Sequence, residues 1–479
     1  GVTAGAARAE PDASPGPSRQ RRSYEPPFGL LEWFNPLAIR VVPELADTPA
    51  LNVLLPALGM KHMTGGPNTA INLACRLATR GVAVRLVSTD LPPDADPTNF
   101  RHHIMQLARP EAVSAQIEVA NASDRGQPLA IGANDIFMAT AWWTAQMAKY
   151  AVRHTRHRRF VYLIQDYEPL FHPAGTNHAL AEETYRLDHI PVINTSLLHE
   201  FLTSRGVGRF AAPGFAETAL VFEPSVDASR FSPPDHPPPG AGRRRLLFYA
   251  RPKNGVRNAF ELGVAALQKL ICEGAIEPAD WEFVGMGEQF APVALGSGAV
   301  LAPAPWLDLD GYATLLKESD VLLSPMLSPH PSYPPLEMAA CGRPVVTTAY
   351  ANKTAERLAE ISPNIIGVEP TIEGIAAGVL DAIRRPREAI SGGVALPSSW
   401  SASFKPVLPR LHAALLTLFD APALPPEARL AEPRDGRSLF PGYRAWPCDR
   451  YNLLRHHLLS ERKRQYRDCE AGLFSLLTT

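Results

Sequence analysis

LNVLLPALGMKHMTGGPNTAINLACRLATRGVAVRLVS, residues 51–88, reads as one strand–helix–strand unit. Leu51–Leu55 is a short β-type apolar run and Val82–Ser88 is another. Between them Gly65 and Gly66 permit a tight turn, Pro67 suits a first helical turn, and Gly81 suits a helix end. The spacing predicts a helix over 67–80. Two strands joined through a helix pair in parallel, which makes this a βαβ unit.

The alternation continues outward. A helix over 141–154 leads to a strand at Phe160–Gln165. It stops at 232–245, SPPDHPPPGAGRRR, where five prolines and two glycines can continue neither a helix nor a central strand. It then resumes with strand Leu246–Ala250 and a helix carrying Phe260, Val264, Leu267 and Ile271 on one face. Strands at Trp281–Val284, Val300–Ala302, Val321–Ser324 and Pro344–Thr347 follow, with helices over 311–318, 335–341 and 406–419. The pattern predicts an N-terminal extension at 1–45, partly disordered, and an α/β domain at 46–231. A hinge at 232–245, a second α/β domain at 246–400, and a last helix with a tail at 401–479 complete the chain.

Composition narrows the function. The chain has 479 residues, 48 of them proline, yet 46% are hydrophobic and 20% charged, which excludes a wholly disordered protein. A net charge of −1 argues against a general polyanion binder, so no nucleic-acid partner is expected. Cys75, Cys272, Cys341, Cys448 and Cys469 are scattered without metal-type spacing and read as reduced thiols of a cytoplasmic protein. No apolar run reaches the roughly 18 residues of a membrane span. The opening GVTAGAARAEP reads as a cut start. Residues 450–468 are basic with interleaved leucines, which fits an anionic membrane surface or a docked helix with a solvated face.

In open parallel sheets ligands bind beyond the carboxyl ends of the strands, so the residues there are the candidates. Gly65 and Gly66 open a helix whose free N–H groups suit an anion, or form an ordinary turn. Asp166 and Glu168 in QDYEP fit proton transfer or sugar hydroxyls, or a helix cap and a surface ion pair. Arg251 and Lys253 in RPKNGVRN suit a diphosphate, or a solvated basic turn. The loop after Val321–Ser324 holds Pro325, Pro329, Pro331, Pro334 and Pro335 and is stiff. It carries His330, Ser332 and Tyr333 into a helix with Glu337, a carboxylate suited to accept both hydroxyls of a ribose, or one simply favoured by the dipole near a helix N-terminus. No histidine spacing suggests a metal site.

The stretch from Val321 to Thr348, ending in LEMAACGRPVVTT, resembles the nucleotide-binding signature of retaining GT-B glycosyltransferases of the type 4 family. FYARPKNGVRNAFELGVAAL and TGGPNTAINLACRLATRG match that family's two other landmarks. YLIQDYEPLFHPAGTNHALAEETYR and FYARPKNGVRNAFELG look more narrowly like bacterial rhamnosyltransferases that build S-layer and related rhamnose polymers from dTDP-rhamnose. The likeness covers roughly residues 50 to 420.

The resemblance implies two Rossmann-like domains facing across a cleft, with a last helix crossing back. It implies transfer of L-rhamnose from dTDP-rhamnose, with retention, to a glycan or lipid-linked glycan at the inner face of a membrane, without cofactor or metal. Gly65 and Gly66 would face the donor phosphates, and Arg251 and Lys253 would neutralise the diphosphate. Glu337 matches the second acid of the family's Glu-x7-Glu pattern and would hold the ribose. Ser332 and Tyr333 would approach phosphate and sugar, and Asp166 and Glu168 match the acidic pair on the acceptor side. Where the family has its first Glu, this chain has Pro329, and His330 is the neighbour offered in its place. A sugar-nucleotide epimerase of the same fold and a two-lobed sugar-binding protein are the alternatives.

Overall fold

The apolar run of residues 50–55 becomes a central strand because both of its faces are covered. Leu51, Val53 and Leu55 point into one layer with Ala70, Leu73 and Leu77, while Leu54 points into the other with Phe137 and Tyr162. Burial on both faces is the mark of a parallel sheet inside an α/β domain. The computed structural model describes residues 36–107, 117–234, 242–252, 256–386 and 393–420.

The first domain contains β1 (Ile39–Val41), β2 (Ala50–Leu55), β3 (Ala83–Ser88), β4 (Ile117–Asn121), β5 (Leu129–Ile131), β6 (Ile136–Ala139), β7 (Phe160–Ile164), β8 (His189–Asn194) and β9 (Leu220–Phe222). Seven of them form one sheet in the order β4-β3-β2-β6-β7-β8-β9, parallel throughout. The second sheet is built from β10 (Arg244–Ala250), β11 (Trp281–Gly287), β12 (Val293–Gly296), β13 (Ala299–Pro303), β14 (Val321–Ser324), β15 (Val345–Thr348) and β16 (Ile365–Val368). Its order is β12-β13-β11-β10-β14-β15-β16, and β12 alone runs antiparallel to its neighbour. In each sheet the chain winds outward from one central strand and then restarts on its other side, at β2/β6 and at β10/β14. Such reversals open a crevice at the strands' carboxyl ends.

The helix predicted over 67–80 spans Gly65–Ala78, so both glycines lie inside its first turn. Residues 36–45, assigned to the extension by sequence, contribute β1, which pairs with β5 on the first domain. The residues before 36 lie outside the described part, as do Lys253, most of the proline cluster and 450–468.

Two boundaries need comment. The sequence places the hinge at 232–245, but Val226 and Phe231 are already buried in the second domain's core with Leu247, Leu322 and Leu336. Two apolar side chains have more to gain in that core than the prolines downstream have in leaving it, so the chain changes domain before Val226. It returns beside that point: the Val226 N–H donates to the Pro397 carbonyl at 3.0 Å. The chain then forms short helix Trp400–Phe404 and helix Leu408–Phe419. Phe404, Leu411 and Leu415 insert among Leu73, Leu77 and Phe222 of the first domain. Two parallel-sheet domains face to face, with a helix crossing back, are the GT-B arrangement the sequence leads one to expect.

Candidate active site between the domains

The carboxyl ends of the two sheets meet around Asp166. This residue follows β7, where the strand's last peptide turns out of the sheet, and it is 5% exposed. Its Oδ2 pairs with Arg257 Nε at 2.9 Å, and its Oδ1 accepts from the Ser328 hydroxyl and from the Tyr167 N–H. Arg257 and Ser328 belong to the second domain. The Arg257 guanidinium also lies 4.0 Å from the centre of the Phe171 ring. An arginine so placed is held by an ion pair on one side and an aromatic face on the other.

A second tie forms at Tyr333. Its hydroxyl is 2.7 Å from Thr69 Oγ1 and accepts from Asn194 Nδ2 at 3.0 Å. The ring rests against the first domain so closely that a Cβ on Gly65 would stand 2.7 Å from it. Gly65 is therefore needed for the approach of Tyr333, a role distinct from facing phosphate. Gly66 lies beside the Gln165 amide. Ser332 has a φ of +70°, a conformation unusual for a side-chain-bearing residue, and it swings the chain into helix Tyr333–Ala340.

His330 is 4% exposed. Its Nδ1 accepts from the Ser332 N–H at 2.9 Å, which leaves the proton on Nε2, a buried donor without a partner. Burial pushes its pKa down to about 4, so the ring is neutral. Lys353 lies fully buried, donates to the Met326 carbonyl at 3.0 Å, and is pushed down to about 7 by burial against the pull of Asp166. Gln165 Oε1, Asn194 Oδ1 and Ser324 Oγ are likewise buried without partners. Unpaired buried polar atoms are uncommon in folded proteins. Those near the facing sheet ends give this crevice a polar lining with free hydrogen-bonding capacity, although such atoms also occur elsewhere in both domains.

The remaining candidates spread around this centre. Arg251 follows β10 and pairs with Glu288 at 3.3 Å. Glu337 accepts from the Tyr312 hydroxyl at 2.7 Å, and burial raises its carboxyl to about 7. Glu168 turns toward its own domain, where its Oε2 accepts from the Trp142 N–H at the start of helix Trp142–Ala151. That is the cap reading of Glu168. Burial, with Asp166 adding repulsion, raises its carboxyl to about 8.

This last shift has a measurable sign. The folded pKa of Glu168 lies above its ordinary 4.5, so folding takes up a proton between those values. The contribution to stability is full below about pH 4.5 and is lost as pH rises through 8. Glu168→Gln keeps an acceptor for Trp142 and has no proton to lose. Its Tm relative to the wild type is expected to climb by about 4 °C or more between pH 5 and pH 9. Parallel Tm profiles would rule this out.

Sequence reasoning quoted the segment containing Arg257 yet selected Arg251 and Lys253 from it. It missed Thr69, Asn194 and Ser328, whose roles depend on the other domain. It also missed Lys353, although the rule that selected the other candidates, a polar residue after a strand, applies to the segment that follows β15.

Comparison with known proteins places the two halves separately. Residues 50–196 match the family described as WsaF, N-terminal domain, and residues 244–380 that described as WsaF, C-terminal domain. The O-antigen biosynthesis protein RfbC of Myxococcus xanthus is 36% identical over 330 residues, covering 69% of this chain and 24% of RfbC. The chain thus spans about a quarter of the length of that curated relative. Sucrose-phosphate synthase from Thermosynechococcus elongatus is similar at a TM-score of 0.47 and 13% identity, covering 78% of this chain and 99% of the synthase chain. Anabaena HepE in complex with UDP-glucose is similar at a TM-score of 0.47 and 14% identity, covering 77% and 97%.

Proposed function

We propose that this chain, which carries the two WsaF domains in order, is a glycosyltransferase of surface-glycan synthesis that moves a sugar from a nucleoside diphosphate to a growing glycan. The finer reading is L-rhamnose from dTDP-rhamnose with retention at the anomeric carbon. The observation that supports it most is the set of cations and unpartnered polar atoms where the two sheets' carboxyl ends meet. The O-antigen role in the name of the Myxococcus relative agrees with a polysaccharide product.

The chemistry follows from what must be stabilised. Breaking the anomeric C–O bond leaves an oxocarbenium-like centre and a diphosphate whose charge grows in the transition state. Preorganised cations answer that growth best. Arg251 and Arg257 stand at the carboxyl end of the second sheet and take this role, with side-chain charge in place of a metal. The His330 Nε2–H is a neutral donor suited to a sugar or phosphate oxygen, in the neighbourhood where Pro329 supplies no acid. One acceptor oxygen bonds to the anomeric carbon from the face the diphosphate leaves, and the departing phosphate oxygen takes the acceptor's proton. Asp166, saturated by Arg257, Ser328 and Tyr167, acts by positioning Arg257. Glu337 keeps Oε1 free for a ribose hydroxyl while Tyr312 holds Oε2.

Arg251→Ala removes a partly buried ion pair, with side-chain exposures of 28% and 10%, whose stability value is modest, on the order of 1 kcal/mol. It is expected to cut kcat at least tenfold with little change in Tm, and normal turnover would remove Arg251 from the scheme. Incubation with labelled dTDP-rhamnose, with and without a rhamnosyl acceptor, tests the whole reading. Label in the acceptor supports transfer. Conversion of the nucleotide sugar without acceptor would make the protein an epimerase, and tight binding without turnover would make it a binding protein.

A further inference from the structure

We infer that Lys353 is a positioning residue for sugar transfer: from inside the second domain its ammonium holds the Met326 carbonyl, and through it the turn that presents Ser328 and His330 where the domains meet. This rests on the glycosyltransferase reading above and adds to it the device that sets the turn's shape.

Lys353 is placed by a tight reversal after β15. Tyr350 and Lys353 exchange backbone hydrogen bonds of 3.0 and 2.9 Å, with Ala351 at a φ of +50°. Asn352 donates from Nδ2 to the Leu197 carbonyl of the first domain at 2.8 Å. The reversal is thus fixed against the first domain, while the fully buried Lys353 side chain reaches the Met326 carbonyl.

That carbonyl is the hub of the turn. It accepts from Lys353 Nζ at 3.0 Å and from the Ser328 N–H at 3.1 Å. The Met326 N–H donates to Thr348 Oγ1 at 2.8 Å, and the Leu327 N–H to the Arg257 carbonyl at 2.7 Å. Ser328 Oγ accepts from the His330 N–H at 3.0 Å and donates to Asp166. His330 Nδ1 in turn accepts from the Ser332 N–H. An unbroken run of hydrogen bonds therefore leads from Lys353 to Ser328 and His330.

Space-filling does not account for a lysine here. Burying an ammonium is costly, and a methionine of similar length would fill the same volume without that cost. Charged and titratable groups reach it from three elements: Asp166 after β7, Arg257 ahead of helix Phe260–Cys272, and His330 after β14. Burial above all, with Arg257 adding repulsion, brings its pKa down to about 7 against the pull of Asp166. Below that pH the bond to Met326 is charge-assisted, and above it the neutral amine is a weaker donor. The turn is held most firmly while Lys353 is charged.

The test compares the full chain with Lys353→Met and Lys353→Gln, using dTDP-rhamnose as donor and a rhamnosyl acceptor. Methionine fills the space without a donor, and glutamine keeps a neutral one. Lys353→Met is expected to cut kcat about tenfold or more, with the donor KM within about threefold and Tm near that of the wild type. Lys353→Gln is expected to recover part of that loss. In the wild type, kcat/KM for the donor should fall as pH rises through about 7, and both variants should lack that falling limb. Glu337 ionises over the same range with the opposite effect, since its carboxylate is the better acceptor for ribose, so the readout is the difference between wild type and variant. Wild-type kcat in Lys353→Met, or the same falling limb in both variants, overturns the inference. A second readout needs no turnover. The isotope-labelled His330 ring, identified by its loss in His330→Gln, is expected to shift in NMR as Lys353 titrates in the wild type and to stay still in Lys353→Gln. A still ring in the wild type overturns the inference whatever the activity. A moving ring in a protein that neither binds nor turns over dTDP-rhamnose keeps Lys353 as the holder of the turn and removes the transferase reading.

Discussion

Arg257→Ala is expected to lower kcat by two to three orders of magnitude, the scale on which a preorganised transition-state donor is lost. Two things make Arg257 more sensitive than Arg251. It is held on both sides, by Asp166 at 2.9 Å and by the Phe171 ring, so its position costs nothing at the moment of reaction. It is also largely buried, where a charge acts through a lower dielectric. Its removal leaves the Asp166 carboxylate buried beside fewer partners, and breaking such a pair costs about 3–5 kcal/mol in other proteins. Some of the lost activity in the alanine variant is thus lost stability. Arg257→Lys separates the two. Lysine keeps the charge near Asp166 but not the planar fork, so Tm is expected to recover most of the way while kcat stays at least tenfold down. Wild-type kcat in both variants would show that Arg257 only fastens the domains.

Leu411→Ala is expected to have the largest effect on stability. Leu411 is fully buried on helix Leu408–Phe419, in the same core as Leu73, Leu77 and Phe222. Truncating a fully buried leucine costs about 2–5 kcal/mol through lost burial and the cavity left behind. The loss falls on the first domain, although the residue lies beyond the second in sequence. Urea unfolding followed by fluorescence would show the first domain's transition moving to lower denaturant, while the second domain keeps its midpoint. A cost under about 1 kcal/mol would mean that the helix is loosely seated.

The regular part of this fold was legible because its signals are local. Leu51–Leu55, Phe160–Gln165 and Val321–Ser324 are apolar runs bounded by turn residues, and each is a strand within one residue of its expected limits. Helix 406–419 showed its period, and its crossing came with the family likeness. What could not be read is what depends on a partner distant in sequence. Val226 and Phe231 gave no sign that their contacts are with Leu247 and Leu336, so the proline cluster took the hinge. Tyr333 was visible as a loop residue, but its bonds to Thr69 and Asn194 span 264 and 139 positions. Glu168 had two readings in sequence, and only the three-dimensional position of the Trp142 N–H shows it as a cap. Lys353 is a lone lysine in a polar loop until the Met326 carbonyl is seen to bury it.

The returning helix has a further consequence, for how the chain is made. On the ribosome the first sheet is complete once β9 has emerged, yet its core still lacks Phe404, Leu411 and Leu415. At about 5–20 residues per second, the missing helix follows on the order of ten to forty seconds later. Throughout that interval the apolar faces of Leu73, Leu77 and Phe222 have no lid. A nascent chain in this state is a client for ribosome-associated chaperones, and its yield should depend on them more than that of a protein whose domains close in the order they are written.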